Sequence, residues 1–140
     1  MKQIPVIFWT GTGNTQMMAD AVAEAINAAG AEAVVKNVSE TSADEAAGYD
    51  ALALGCPAMG AEVLEECEFE PFFTELEGKL AGKKVALFGS YGWGGSYMQD
   101  WEARVKDAGA ELVADGVLAL GAPDDEAMAK LAEAGKLLAE

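Results

Sequence analysis

The sequence contains no histidine and only two cysteines among its 140 residues. Without histidine there is no histidine-based catalytic triad, no histidine-ligated metal site and no histidine proton shuttle. The cysteines, Cys56 and Cys67, do not form a CxxC motif. One disulfide between them is an open alternative, but a chain without an export signal more readily keeps both as thiols. We therefore predict neither a catalytic residue of these types nor a metal site.

Positive charge is also scarce, because nine lysine and arginine residues face 24 aspartate and glutamate residues, giving a formal charge of −15 and a pI near 4.1. Nucleic-acid binding needs cations that displace counterions from phosphates, so this class of partner is excluded. A field of this sign steers a protein towards basic patches on its partners. Solubility alone is the other explanation of the charge.

Long apolar runs are absent, and no segment approaches the roughly 20 apolar residues that span a bilayer. The apolar stretch at Met1–Val6 is too short for a signal peptide. No low-complexity stretch divides the chain, and 51% of its residues are hydrophobic, which suffices for one core. We expect a single domain over residues 1–140 that is soluble and cytoplasmic, with no membrane partner.

Short apolar runs alternate with helical patterns along the chain. Strands separated by helices predict right-handed crossovers, a parallel sheet covered on both faces, and thus a three-layer α/β/α sandwich. Five such strands fit the order 2-1-3-4-5, with a ligand crevice at the carboxyl ends of strands 1 and 3. The predicted strands are 6–9, 33–35, 51–54, 85–88 and one within 111–120. The predicted helices are 16–29, 42–47 (capped by Ser42), 71–80, 98–108 and 125–138.

The segment Thr10-Gly11-Thr12-Gly13-Asn14-Thr15 lies between the first strand and the first helix. Its glycines permit a tight turn whose N–H groups point at one anion, and the helix N-terminus adds partial positive charge. A capped turn is the simpler explanation, but three hydroxyl groups exceed what a cap needs. The segment therefore predicts a phosphate site.

Several features of nucleotide enzymes are missing from this segment. No lysine or arginine occurs from Gln3 to Val35, and the Gly-Lys-Ser/Thr ending of a P-loop is absent. Gly11 and Gly13 begin a GxGxxG pattern, but Gln16 breaks it. A phosphate held by neutral donors is better suited to anchoring a ligand than to phosphoryl transfer.

Three segments together resemble the short-chain, clostridial-type flavodoxins: 10–15, then 54–60 with 62–66, and 82–94, with Phe69-Glu70-Pro71-Phe72-Phe73 as a further match. The resemblance covers nearly the whole chain. It implies the flavodoxin-like fold and one non-covalent FMN. It also implies a low-potential one-electron carrier, not an enzyme, that cycles mainly between semiquinone and hydroquinone in place of ferredoxin. By the same resemblance the protein is a monomer, and its partners are ferredoxin-linked oxidoreductases with basic docking patches.

The resemblance also assigns roles to individual residues. Met59 covers the inner flavin face, Trp93 stacks on the outer face, and Glu62 accepts a hydrogen bond from flavin N3–H. The peptide after Gly60 turns its carbonyl towards flavin N5 on reduction. Trp93 stands between two glycines just after a strand, where an exposed indole suits stacking. The predicted FMN-binding residues are Thr10, Gly11, Thr12, Gly13, Asn14, Thr15, Ala58, Met59, Gly60, Glu62, Ser90, Tyr91, Gly92 and Trp93.

The chain departs from its relatives at Ala61, within 94–97 and at 120–121. If reduction places Ala61 at the third position of a type II turn, that residue needs a positive φ, which alanine adopts less readily than glycine. We expect the one-electron form to be less stabilised than in relatives with glycine or asparagine there. The acidic residues from Glu62 to Glu70 are typical of a solvated face, but they also disfavour an anionic reduced flavin.

Other functions on the same fold remain alternatives. An FMN-dependent quinone reductase needs a second pocket, for which the sequence offers no insertion. An accessory protein that reduces one dedicated enzyme fits the acidic surface equally well. A phospho-acceptor domain needs acidic residues at the first strand's end, where Trp9-Thr10 stands, and a tyrosine phosphatase needs Cys and Arg in a loop that has neither.

Overall fold

Strands and helices alternate along the chain, as the sequence predicts. The computed structural model describes residues 2–9, 13–57, 68–91, 96–120 and 122–140. The strands of this part are β1 (Gln3–Phe8), β2 (Glu32–Asn37), β3 (Ala51–Gly55), β4 (Lys84–Tyr91), β5 (Glu111–Leu112) and β6 (Val117–Leu120). The helices are α1 (Asn14–Ala28), α2 (Ala43–Ala46), α3 (Phe69–Glu77), α4 (Ser96–Asp107) and α5 (Asp125–Ala139), with a 3₁₀ turn at Val38–Glu40.

The ends of the elements follow local chemistry. The predicted cap of α2 is confirmed, because the Ser42 side chain accepts a hydrogen bond from the Glu45 backbone N–H at 3.2 Å. Helix α3 begins two residues earlier than predicted, so Pro71 lies in its first turn, where a missing N–H is tolerated. Strand β1 includes Pro5 at a point where pairing with β3 has not yet begun. Proline has no N–H to donate, and this costs no ladder hydrogen bond where the strand is unpaired on that side.

The sheet is parallel and has the order β2-β1-β3-β4-β5, which confirms the predicted order 2-1-3-4-5. The outermost position is shared by two segments, since β6 also pairs with β4. Between β5 and β6, the four residues 113–116 lie opposite only two residues of β4, 86 and 87, and therefore form a bulge. The Glu102 carboxylate of α4 accepts a hydrogen bond from the Gly116 N–H at 2.7 Å and so satisfies a donor in the bulge.

Alternate residues of each central strand enter one of two cores, one on each side of the sheet. Phe8 and Ala53 belong to the core under α1 and α5, whereas Ile7 and Leu54 belong to the core under α3 and α4. This alternation is the period of two that a strand imposes. Both faces are therefore covered, as a three-layer sandwich requires.

Because the strands are parallel, their carboxyl ends lie at one edge of the sheet, which we call the carboxyl edge. The helices run back across the sheet, so each begins near that edge and ends near the opposite one. Within the described ranges, no helix is both long and apolar enough to cross a membrane.

Candidate functional site

The structure describes five of the predicted site residues, all at the carboxyl edge: Gly13, Asn14, Thr15, Ser90 and Tyr91. The first three begin α1, and the last two end β4. The other predicted residues lie outside the described residues: Thr10, Gly11, Thr12, Ala58, Met59, Gly60, Glu62, Gly92 and Trp93.

The start of α1 suits an anion. Gly13 precedes the helix with φ +93°, in the left-handed region where glycine is favoured, and it carries no capping side chain. The first intrahelical hydrogen bond runs from Met17 N–H to the Gly13 carbonyl at 3.1 Å, so the helix itself does not use the N–H groups of its first turn. No acidic residue occupies that turn, although the chain is rich in acids. Within this turn no carboxylate compensates the helix dipole.

Two buried hydroxyl groups meet next to this helix start. The Thr15 Oγ1 of α1 lies 3.4 Å from the Ser90 Oγ of β4, and the two side chains are 1% and 6% exposed. In the described ranges Thr15 and Ser90 are the buried residues with polar side chains, when tyrosine, tryptophan and cysteine are not counted. The structure thus brings one residue of the predicted phosphate segment against one of the third predicted FMN segment.

The exit from β3 is held by a tyrosine from α4. The Cys56 N–H continues the ladder by donating to the Phe88 carbonyl at 3.1 Å, and the Tyr97 hydroxyl donates to the Cys56 carbonyl at 2.8 Å. Gly89 lies beneath this bond, since a Cβ there would stand 2.1 Å from the Cys56 carbonyl oxygen and 2.1 Å from the Tyr97 hydroxyl. This close approach therefore requires glycine at position 89.

Aromatic side chains join α3 to α4. The Trp101 ring meets Phe69 and Phe73 edge-on at centroid distances of 5.5 and 5.9 Å, and it stacks on Tyr97 at 6.5 Å. These are favoured geometries for aromatic pairs. They fix the two helices that follow segments 58–67 and 92–95.

An ionic cluster reinforces the same pair of helices. The Arg104 guanidinium makes two hydrogen bonds with Glu70, at 2.8 and 2.9 Å, and two with Glu77, both at 3.1 Å. It also lies 4.7 Å from the centre of the Phe73 ring. The hydrogen bonds from Arg104 hold the pKa of Glu70 below its ordinary value, although partial burial opposes them.

The acidic run after residue 61 is more than a solvated face. Glu68 accepts a hydrogen bond from the Trp9 indole N–H at 3.3 Å, and Glu70 belongs to the Arg104 cluster. The Trp9 contact ties the end of β1 to the start of α3. Two of the five acids therefore have structural partners that composition did not indicate.

Sequence reasoning missed Tyr97, Arg104 and Gly89. Arg104 is the only arginine in the chain, and it lies on a different helix from Glu70 and Glu77. A lone arginine after two glutamates is only a weak signal for pairing. Tyr97 carried no signal of its own, because its partner is a backbone carbonyl 41 residues away.

Comparison with known proteins gives concordant results. The family model described as Flavodoxin matches residues 6–135. The chain is 47% identical over 135 residues to the flavodoxin of Clostridium beijerinckii, covering 96% of this chain and 97% of that protein. It is 47% identical over 116 residues to the flavodoxin of Megasphaera elsdenii, covering 82% and 85%. The solution structure of two-electron reduced Megasphaera elsdenii flavodoxin superimposes with a TM-score of 0.90 at 43% identity, covering 97% and 98%.

Proposed function

The chain belongs to the flavodoxin family, and on that premise we propose which of its residues hold the cofactor and which surface meets the redox partners. The protein is a low-potential electron carrier rather than an enzyme, and it binds one FMN non-covalently. When bound, FMN supplies low-potential one-electron chemistry, mainly between its one-electron and two-electron reduced forms.

The residues at the start of α1 fit the phosphate of FMN. The buried pair of hydroxyl groups on Thr15 and Ser90, next to a helix start without acids, is the observation that carries this assignment. A helix N-terminus and neutral hydroxyl donors stabilise an anion without a cation. We assign the phosphate to residues 10–15. In this assignment Thr10, Thr12, Asn14 and Thr15 donate from their side chains, and Gly11 and Gly13 permit the tight turn of the backbone.

The flavin ring is assigned to the segments that follow β3 and β4. These strands are neighbours, with Gly55 paired to Phe88, so both segments follow strands that end at the carboxyl edge. Ligands of this kind of sheet bind outside the carboxyl ends of such strands. The proposed ring-binding residues are Ala58, Met59, Gly60, Glu62, Ser90, Tyr91, Gly92 and Trp93.

The distribution of charge supports docking of basic partners at the carboxyl edge. All nine cations lie in the described residues, and most stand at starts of strands or ends of helices, away from that edge. Lys36 is nearer the edge, but it is paired with Glu45 at 2.6 Å. Arg104 reaches Glu70 at the start of α3 and is paired with it at 2.8 Å. Acidic residues also stand in the first turn of α5, namely Asp125 and Glu126. The cations are Lys2, Lys36, Lys79, Lys83, Lys84, Arg104, Lys106, Lys130 and Lys136.

This polarity favours approach of a positively charged surface to the edge that carries the cofactor site. We infer that the partners are ferredoxin-linked oxidoreductases with basic docking patches. The rate of electron transfer to such an enzyme is expected to fall steeply as ionic strength rises, which stopped-flow mixing at several salt concentrations measures. A rate independent of salt would contradict this part of the proposal. We further propose that residues 1–140 act as one cytoplasmic, monomeric domain.

The cofactor assignment is tested by titrating cofactor-free protein with FMN and with riboflavin, which lacks the phosphate. We expect Thr15→Val to raise the dissociation constant of FMN by about tenfold or more, because a hydrogen bond to a charged group is lost. The riboflavin constant is expected to rise by much less, because riboflavin has no phosphate for Thr15 to bind. Thr74→Val, an exposed threonine of α3, is the matched control. Absence of FMN binding by the wild type would refute the function, and equal loss of both ligands in Thr15→Val would refute the phosphate role.

A further inference from the structure

One hydrogen bond connects the two segments assigned to the flavin ring. Cys56 is the first residue after β3 and stands just before segment 58–67, whereas Tyr97 is the second residue of α4, just after segment 92–95. The Tyr97 hydroxyl donates to the Cys56 carbonyl at 2.8 Å, across 41 residues of sequence. The bond therefore joins the entrance of one segment to the exit of the other.

The surroundings of this bond leave it little freedom. Tyr97 is 2% exposed and Cys56 is fully buried. The Tyr97 ring stacks on Trp101 with an angle of 26° between planes. Gly89 has no side chain, and any Cβ there would displace both partners. Ring and carbonyl are thus held against each other by packing from α4 on one side and from β4 on the other.

The hydroxyl remains a donor under all ordinary conditions. Burial raises the pKa of Tyr97, and the nearby Cys56 sulfur raises it further. A protonated phenol in a buried site is expected to have a partner, and here the partner is the Cys56 carbonyl.

We propose that the Tyr97 hydroxyl is a positioning group for the FMN site, which keeps the exit of β3 and the entrance of α4 at their binding separation before the cofactor arrives. The inference rests on the proposed placement of FMN between these segments. Without the hydroxyl, part of the cofactor-free population leaves this arrangement. The apparent affinity of a ligand falls by the fraction of protein that is competent to bind it. Tyr97 acts through the backbone at Cys56 and needs no contact with the cofactor.

The test is Tyr97→Phe, which removes one oxygen and retains the ring that packs on Trp101. We expect the variant to fold with a lower unfolding temperature. The dissociation constant for FMN, from fluorescence titration of cofactor-free protein, is expected to rise about five- to tenfold, in line with the loss of one net hydrogen bond. In stopped-flow mixing the association rate constant should fall by the same factor, while the dissociation rate constant stays unchanged.

Tyr49→Phe is the matched control, because Tyr49 is a partly buried tyrosine that packs against the same core just before β3 begins. Its FMN constants should equal those of the wild type. If Tyr97→Phe lowers only the unfolding temperature, the hydroxyl is merely structural and the proposal is overturned. A faster dissociation with unchanged association also overturns it, since the hydroxyl then acts on the bound state. Wild-type protein that binds no FMN would refute the proposed function itself.

Discussion

The Thr15 and Ser90 hydroxyl groups lie 3.4 Å apart although 75 residues separate them in the chain. One belongs to the first turn of α1 and the other to the end of β4. Their contact therefore brings one residue of the predicted phosphate segment against one residue of the third predicted FMN segment. Since both side chains are buried, a change at either one alters the environment of the other.

Removing both hydroxyl groups is expected to cost less FMN affinity than the two single changes together. Ser90→Ala should raise the FMN dissociation constant about threefold, and the double variant with Thr15→Val should show a coupling of about 0.5–1 kcal/mol, because the residues share one contact. Titration of the four cofactor-free proteins measures this cycle. Ser39→Ala, an exposed serine, is the control. Strictly additive effects would mean that the two hydroxyls act independently.

Helix α5 packs closely on α1 at Gly135. A Cβ at position 135 would stand 2.8 Å from the Val22 carbonyl oxygen and 2.9 Å from the Ala25 Cβ. We expect Gly135→Ala to lower the free energy of unfolding by about 1–2 kcal/mol. The cost of overpacking exceeds the gain in helix propensity, which is about 1 kcal/mol. Urea denaturation at neutral pH measures the change.

Gly78→Ala is the matched control for this prediction. Gly78 ends α3 with φ −73°, and a Cβ there would meet nothing within 4 Å. The same substitution should therefore be neutral or raise the stability by about 0.5–1 kcal/mol, through a less flexible unfolded chain. Equal effects at the two positions would refute the packing argument.

The Arg104 cluster is expected to stabilise the pair α3 and α4. Arg104→Gln should lower the free energy of unfolding by about 1–2 kcal/mol at pH 7, a value reduced from that of buried charged pairs because about a third of each carboxylate faces solvent. Lys130→Gln, which breaks an exposed pair with Glu126, should change it by less than about 0.5 kcal/mol. A similar loss in both variants would contradict the prediction.

The contribution of Glu70 to this effect depends on pH. Because the pKa of Glu70 is lowered in the folded protein, its contribution is complete above the ordinary value of 4.5 and is lost as pH falls through the folded value. The difference in stability between wild type and Arg104→Gln should therefore shrink below about pH 4.5. Denaturation series at about pH 7, 5 and 3.5 measure this difference in stability. A difference that grows towards acid pH would contradict the assignment.

Ala61 lies outside the described residues, and its prediction comes from the sequence. Glycine adopts a positive φ more easily than alanine, by roughly 1 kcal/mol, which corresponds to about 40 mV for one electron. Ala61→Gly is therefore expected to raise the midpoint potential of the first one-electron reduction by about that amount. Spectroelectrochemical titration measures it, and an unchanged or lower potential would contradict the expected turn.

Much of the fold follows from local patterns. Apolar runs such as 51–54 and 85–88 predicted buried strands, and the helical spacing in 16–29 predicted α1, because such patterns depend on neighbours in the chain. The bulge at 113–116 was not predicted, although Asp115 and Gly116 interrupt the apolar pattern of 111–120. Its geometry depends on pairing with β4 and on the Glu102 carboxylate of α4, which belong to other elements.

The sequence by itself determined the alternation of strands and helices, the glycine- and threonine-rich segment at 10–15 and the acidic charge, because each depends on residue types at short spacing. Only the tertiary structure decided that Thr15 meets Ser90, that Tyr97 holds Cys56 and that Arg104 pairs with Glu70. These contacts join elements separated by whole crossovers. They exist only after the order of the parallel strands has brought the elements together, and no local pattern encodes that.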